Sequence, residues 1–287
     1  PMSRVRTTSH TGCRNSALSR LSDVIAYREL LVNLTRTELK VRYKNSVLGF
    51  LWSLLNPVLY LVVFSLVFQE ILRAQIPRFA IFLLSGLLVW NFFSASLAGG
   101  ARSIISNSTI VQKVWFPREV LPLASVGAAM VHFLLQALVL AGALVVFRHE
   151  PNWAALVLLP LALLALTLLA AAAAISLAVL NVHFRDTQHL LELVLLAWFW
   201  LTPIVYNHQL VAERLGDGHW IAMLNPITTV VLIFQEALHN PPSGYIPDFS
   251  WWAHLRNVSL LALTALALLA FSLKLFGRLE GKLAERI

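Results

Sequence analysis

The stretch VLGFLWSLLNPVLYLVVFSLVF, Val47 to Phe68, carries no charge. At 1.5 Å per residue a helix needs roughly 20 residues to cross a hydrocarbon layer of about 30 Å, so this run is long enough to span a bilayer. Further apolar runs follow, separated by short polar segments that hold most of the Lys and Arg. In lipid, backbone amides must be satisfied within their own segment, which makes such runs helices; the alternating pattern of an outer-membrane barrel is absent. The sequence therefore predicts an all-α polytopic membrane protein.

Composition points the same way. Mean hydropathy is +0.73, with 58% hydrophobic and 13% charged residues, against about 25% charged in soluble domains. Nearly the whole chain is expected to be membrane domain. The net charge of +8 does not imply nucleic acid, because the basic residues flank apolar spans and form no module of their own. A single cysteine, Cys13, excludes an internal disulfide or a cysteine metal cluster. Met2 to Arg20 is polar and basic without an apolar centre, which predicts a cytoplasmic tail and no cleavable signal.

The expected organisation is a tail over 1–21, an amphipathic interface helix over 22–46, a transmembrane domain over 47–277 and a cytoplasmic tail over 278–287. In the interface helix Tyr27, Leu30, Leu31, Leu34 and Val41 share one face, with Arg36, Lys40 and Lys44 on the other. Six crossings are expected: Val47 to Phe68, Phe79 to Ala98, Val120 to Phe147, Trp153 to Leu180, Leu190 to Tyr206, and Val258 to Phe276. Pro57, Pro122 and Pro203 lie in or near the starts of spans, where they kink a helix or mark its beginning. The Leu- and Ala-rich stretch Ala154 to Ala178 reads as a lipid-facing span. Seventeen of the 22 Lys and Arg then fall on one side, so both termini are expected in the cytoplasm. A seventh apolar stretch, Ile221 to Leu238, contains Asn225, Pro226, Gln235 and Glu236; a crossing there would put the basic tail outside. It is expected to be a re-entrant helical hairpin on the external side, between the last two spans.

No cluster of carboxylates or histidines suits a membrane enzyme, and no metal site is expected. His132 reads as a packed histidine; for His189 and Glu192, near a cytoplasmic span end, a structural role is at least as good a reading as a proton relay. The phosphate-cradling motif G-x-x-x-x-G-K-[ST] is missing, so ATP, if it drives this protein, is bound by a partner. Two loops suit such a partner: ARSIISNSTIVQKVWFPR (101–118), where Ser106 or Asn107 is able to cap a short helix, and NVHFRDTQH (181–189). Ordinary connecting loops remain an even alternative on spacing alone. Aromatics gather in two spans, Trp90, Phe92 and Phe93 in one and Trp198, Phe199, Trp200 and Tyr206 in the other; some are expected to face the interior, where flat rings stack on sugars, although interfacial belts are common.

Six ordered motifs carry a family resemblance: LKVRYKNSVLGFLWSLLNP (39–57), FLLSGLLVWNFF (82–93), VQKVWFPREVLPL (111–123), NVHFRDTQHLL (181–191), LTPIVY (201–206) and LNPI (224–227). The chain resembles ABC-2 type permeases, most of all the membrane subunits of O-antigen and related polysaccharide exporters. The resemblance implies a homodimer in the inner membrane, paired with two copies of a nucleotide-binding subunit that holds ATP and Mg, so this chain is no enzyme and carries no cofactor. It implies coupling to that subunit through Ser106, Asn107, Gln112, Lys113, Phe116, Arg118, Arg185 and Asp186, and an external gate at Asn225 and Pro226. A channel lined by Trp90, Phe93, Trp198, Trp200 and Tyr206 is expected to pass a polyprenyl-diphosphate-linked glycan. Arg28, Arg36, Lys40, Arg42 and Lys44 attract its diphosphate, or simply anchor to anionic membrane lipids. Within transporters, teichoic-acid polymers and drugs stay open as cargo; from a different class, so does a membrane-embedded glycosyl or phosphoryl transferase.

Overall fold

The computed structural model of the chain describes residues 20, 24–43, 51–71, 78–114, 116–184, 186–208, 214, 224–240 and 250–286. Every regular element among them is helical. In chain order they are α1 (Arg28–Tyr43), α2 (Leu51–Ser65) with a π-helical continuation (Leu66–Ile71), α3 (Phe79–Ser106), α4 (Ser108–Lys113), α5 (Val120–Val146), α6 (Trp153–Leu156), α7 (Leu159–His183), α8 (Thr187–Leu201), α9 (Pro226–His239) and α10 (Trp251–Arg286).

Among the described residues, four helices are long and apolar enough to cross a membrane: α3, α5, α7 and the Trp251–Leu279 part of α10. The other two expected crossings are shorter apolar helices, Pro57–Phe68 within α2 and its continuation, and α8. Proline sets several boundaries. Thr202, the residue before Pro203, is extended at φ −104°, ψ 133°, as the proline ring requires of its predecessor, so α8 stops at Leu201. The expected fourth crossing from Trp153 is corrected: one turn of α6 ends at Leu156, and the long helix begins at Leu159 with Pro160 in its first turn, where a missing amide hydrogen costs nothing. Of the expected external hairpin, one helix, α9, is described; Ile221 to Met223 lie outside the described residues.

The core of the bundle is shared by α3 and α7: α7 packs most extensively on α10 and α3, and α3 packs also on α5 and α9. This overturns the reading of the Ala-rich run as lipid-facing. Ala162, Ala165, Ala170, Ala171, Ala172, Ala174 and Ala178 are all buried. Lipid tails are as apolar as leucine, so helices in a membrane gain by close van der Waals approach, and small residues allow it. Gly100 shows how close that approach is: a Cβ built there would stand 2.5 Å from the Cβ of Ala174. Hydrogen bonds between Ser176 and Ser272 (2.8 Å) and from Asn91 Nδ2 to Gln136 Oε1 (3.3 Å) tie neighbouring helices across the bundle.

Three non-glycine residues among those described have positive φ: Arg78 (49°), Arg148 (47°) and Asn240 (44°). All three lie at one end of the bundle. Arg148 occupies the left-handed position that closes α5: its N–H bonds Val145 O at 3.1 Å, and the N–H of His149 bonds Leu144 O at 2.9 Å. Glycine is the usual residue in this arrangement, and an L side chain there costs about 1–2 kcal/mol.

Candidate functional site

At the basic end of the bundle, α3 continues well past the expected boundary at Ala98, turns at Asn107 and passes into α4. Val111 and Phe116 are buried in a cluster that includes Ile104, Val179 and Phe276, which pins α4 to the bundle and leaves Gln112 and Lys113 exposed. Neither Ser106 nor Asn107 caps α4 as expected. The Ser106 hydroxyl donates to Arg102 O (2.8 Å) and the Asn107 amide to Ser103 O (2.8 Å). Both side chains turn back to carbonyls in the last turns of α3, a local competition to which Ser and Asn are prone. Phe184 and Asp186 are exposed in the second loop; Arg185 lies outside the described residues.

Two contacts that sequence reading missed bind these loops to the bundle. Asn181, enclosed at the end of α7, donates from Nδ2 to Ala101 O of α3 at 2.7 Å. Glu119, 2% exposed, is ion-paired with Arg20, whose guanidinium also fills the space beside Gly277 that a Cβ there would need. A carboxylate out of water needs such a partner, and these two stand far apart in sequence with no periodicity to reveal them. Three enclosed polar atoms at this end, Arg118 Nη1, Asn181 Oδ1 and His183 Nε2, have no hydrogen-bond partner among the described residues.

Helix α1 lies against α5. The Thr35 hydroxyl approaches Ala124 O (3.4 Å), and Ser125 donates to Glu38 Oε2 (3.1 Å). Gly127 makes room, since a Cβ there would meet Thr35 Oγ1 at 2.9 Å. Tyr27, Leu30 and Leu34 pack on the basic-end cluster, whereas Val41, expected on the same face, is 66% exposed. Arg28, Arg36 and Lys40 are exposed. Lys44 and the side chain of Arg42 lie outside the described residues.

The aromatic residues converge where α3 meets α8. Phe93 stacks edge-on with Trp198 (5.3 Å between centroids) and Trp90 with Phe199 (5.6 Å). Phe93 is 1% exposed and Trp90 7%, so both serve this contact, while Trp200 is 56% exposed. Tyr206 is half-buried, its hydroxyl donating to Trp200 O at 2.9 Å.

Asn225 and Pro226 form the start of α9. Pro226 is its first residue, and the Asn225 side chain accepts from Ile227 N at 3.1 Å, an N-cap worth about 1 kcal/mol. The same amide group accepts from the Trp198 indole N–H (2.9 Å) and donates to Thr202 Oγ1 (2.9 Å). One asparagine thus joins the cap of α9 to the end of α8. Gln235 donates to Pro203 O at 3.1 Å, and Gly86 of α3 lies directly beneath Ile204 and Gln235, so the LTPIVY segment is held between α3 and α9.

Nearby, Asn152 caps α6 through Ala154 N and Ala155 N and donates to Glu236 Oε1 at 2.9 Å. Burial pushes the Glu236 carboxyl above its ordinary range, and the bond from Asn152 partly offsets that rise.

The sequence profile of the ABC-2 type transporter family matches residues 29–239. An O-antigen export system permease protein, RfbA, from Klebsiella pneumoniae is 32% identical over 257 residues, covering 90% of this chain and 94% of that protein. Its namesake from Myxococcus xanthus is 34% identical over 243 residues, covering 85% of this chain and 92% of that protein.

Proposed function

This chain belongs to the ABC-2 type transporter family, and from that premise we propose that it is the permease subunit of an ATP-driven exporter carrying a polyprenyl-diphosphate-linked polysaccharide across the inner membrane. The observation that carries this reading is the similarity to O-antigen export permeases along nearly the full length of both partners. In the proposed arrangement the four long helices, α2 with its continuation, and α8 make six crossings, with the basic end and both termini in the cytoplasm. α9 belongs to an external re-entrant hairpin. Two copies of the chain form the channel and two copies of a nucleotide-binding subunit hold ATP and Mg.

That subunit docks on α4 and on the second loop, beside Phe184 and Asp186. The Asn181 bond to Ala101 joins the second loop to the helix that leads into the first, which favours their moving together when the ATPase closes. Arg118, half-buried between α4 and α5 with Nη1 unpaired among the described residues, is the loop cation that couples to the partner in this reading. Arg28, Arg36 and Lys40 draw the diphosphate to the cytoplasmic leaflet, each cation worth about 1 kcal/mol near an anionic surface. Trp200 is the exposed ring in α8 on which sugars slide, and the Trp198–Asn225–Thr202 linkage holds the external gate. Motion there has to break or carry that linkage.

The test is reconstitution. The chain co-purified with its ATPase is expected to hydrolyse ATP and export lipid-linked glycan from vesicles, and Asp186→Ala or Arg118→Ala is expected to cut export while ATP hydrolysis by the isolated ATPase stays unchanged. Glycan movement or turnover by the purified chain with no second subunit would overturn the reading.

A further inference from the structure

An apolar cavity of about 320 Å³ lies between α3, α5, α7 and α9, lined by residues such as Leu88, Phe133, Ala141, Leu144, Leu163 and Leu238. It contains almost no polar surface and opens to the side at Ala141, which is itself exposed. Beside Ala141, a Cβ at Gly142 would meet nothing within 4 Å. In a membrane-spanning bundle such an opening faces acyl chains rather than water.

The end of the cavity away from the basic loops is roofed by polar groups. The His149 N–H bonds the carbonyl of Leu144, a lining residue, and His149 Nε2 bonds His239 O at 2.7 Å, next to the lining residue Leu238. Arg78 is hydrogen-bonded to His149 Nδ1. Arginine only donates and a carbonyl only accepts, so Nε2 carries the proton of this imidazole. Arg148 is exposed at the same rim. The other charged or titratable groups facing this end are Glu150, exposed at the loop, Glu236, held by Asn152, and His239, edge-on to Phe82.

Two features set these arginines apart. External loops of inner-membrane proteins are poor in Lys and Arg, yet two of the five cations left outside by the expected topology stand together here. Both also occupy the left-handed backbone region, at φ 49° and 47°, which L side chains avoid and glycine would fill without strain. A cation kept at the mouth of an apolar slot, against both topology and backbone preference, matches a ligand with a negative head and a hydrocarbon tail.

Resting on the inner-membrane topology proposed above, we infer that this cavity binds one anionic phospholipid of the outer leaflet, an acyl chain in the slot and the phosphate beside Arg148 and Arg78. The inference needs no ATPase partner, so its failure is distinct from failure of the export reading.

The purified permease is to be examined by native mass spectrometry with phosphatidylglycerol and phosphatidylcholine in competition. The wild-type chain is expected to retain phosphatidylglycerol in preference. Arg148→Gly removes the charge and the backbone strain together: its preference for the anionic lipid is expected to fall about fivefold, while its melting temperature in detergent without added lipid holds or rises. Arg148→Lys is expected to keep the preference. Ala141→Phe, which fills the mouth, is expected to lose retention of both lipids with the fold intact by circular dichroism. Equal retention of the two lipids by the wild-type chain, or unchanged retention in both Arg148→Gly and Ala141→Phe, overturns the inference. So does displacement of phosphatidylglycerol by a polyprenyl phosphate that binds Arg148→Gly as tightly as wild type, which would make the slot an isoprenoid site.

Discussion

Glu236 sits in the last turn of α9, enclosed and bonded by a neutral amide rather than a cation. Its carboxyl is held above the ordinary range by burial, so the folded chain binds its proton more tightly than the unfolded chain does. Stability from this group is therefore fully present below the unfolded pKa and is lost as pH rises through the interval up to the folded one. Glu236→Gln keeps an oxygen for Asn152 and removes the titration; the variant is expected to lose that part of the pH dependence and to melt higher than wild type at neutral pH, as thermal unfolding across a pH series will show. The sequence marked Glu236 only as a reason against a crossing. What makes it informative is Asn152, which lies 84 positions away and which no local pattern connects to it. The external gate at Asn225 and Pro226 was implied only by the family resemblance. That the Asn225 amide would also take the Trp198 indole was not legible in the sequence.

At the scale of elements, α3 meets α7 closely enough at Gly100 and Ala174 to leave no room for a side chain. Any side chain at Gly100 would strike backbone as well as the Ala174 methyl, and backbone cannot turn aside. Gly100→Leu is expected to destabilise the bundle by about 1–3 kcal/mol through overpacking, seen as a lowered melting temperature in detergent, whereas Gly142→Leu, facing open space, is expected to change it little. The long helices α3, α5, α7 and α10 were readable as apolar runs, since length without charge is a property of the segment alone. Their ends were less so. The break between Leu156 and Leu159 and the stop at Leu201 follow from Pro160 and Pro203, visible in sequence but outvoted there by continuous hydrophobicity. The assignment of the Ala-rich α7 to lipid failed for a related reason: hydropathy rewards lipid contact and helix contact alike, and only residue size separates them.

For the whole molecule, the distribution of Lys and Arg predicts which end faces the cytoplasm, and labelling of single cysteines tests it. With Cys13 replaced by serine, cysteines at Lys113 and Arg36 are expected to react with a membrane-impermeant maleimide only after permeabilisation, and cysteines at the exposed Trp153 and Trp252 to react in cells whose outer membrane alone has been opened. Labelling of both ends from one side would remove the proposed topology and with it the outer-leaflet lipid site. The sequence by itself determined that the chain is helical and membrane-embedded, because hydrocarbon forbids unsatisfied amides and charge, and its ordered motifs pointed to the family. Only the tertiary structure decided which helices share the core, which aromatic rings are enclosed, and which distant polar groups meet: Arg20 with Glu119, Asn181 with Ala101, Trp198 with Asn225. Burial and pairing are properties of two surfaces brought together, and a single segment holds only one of them.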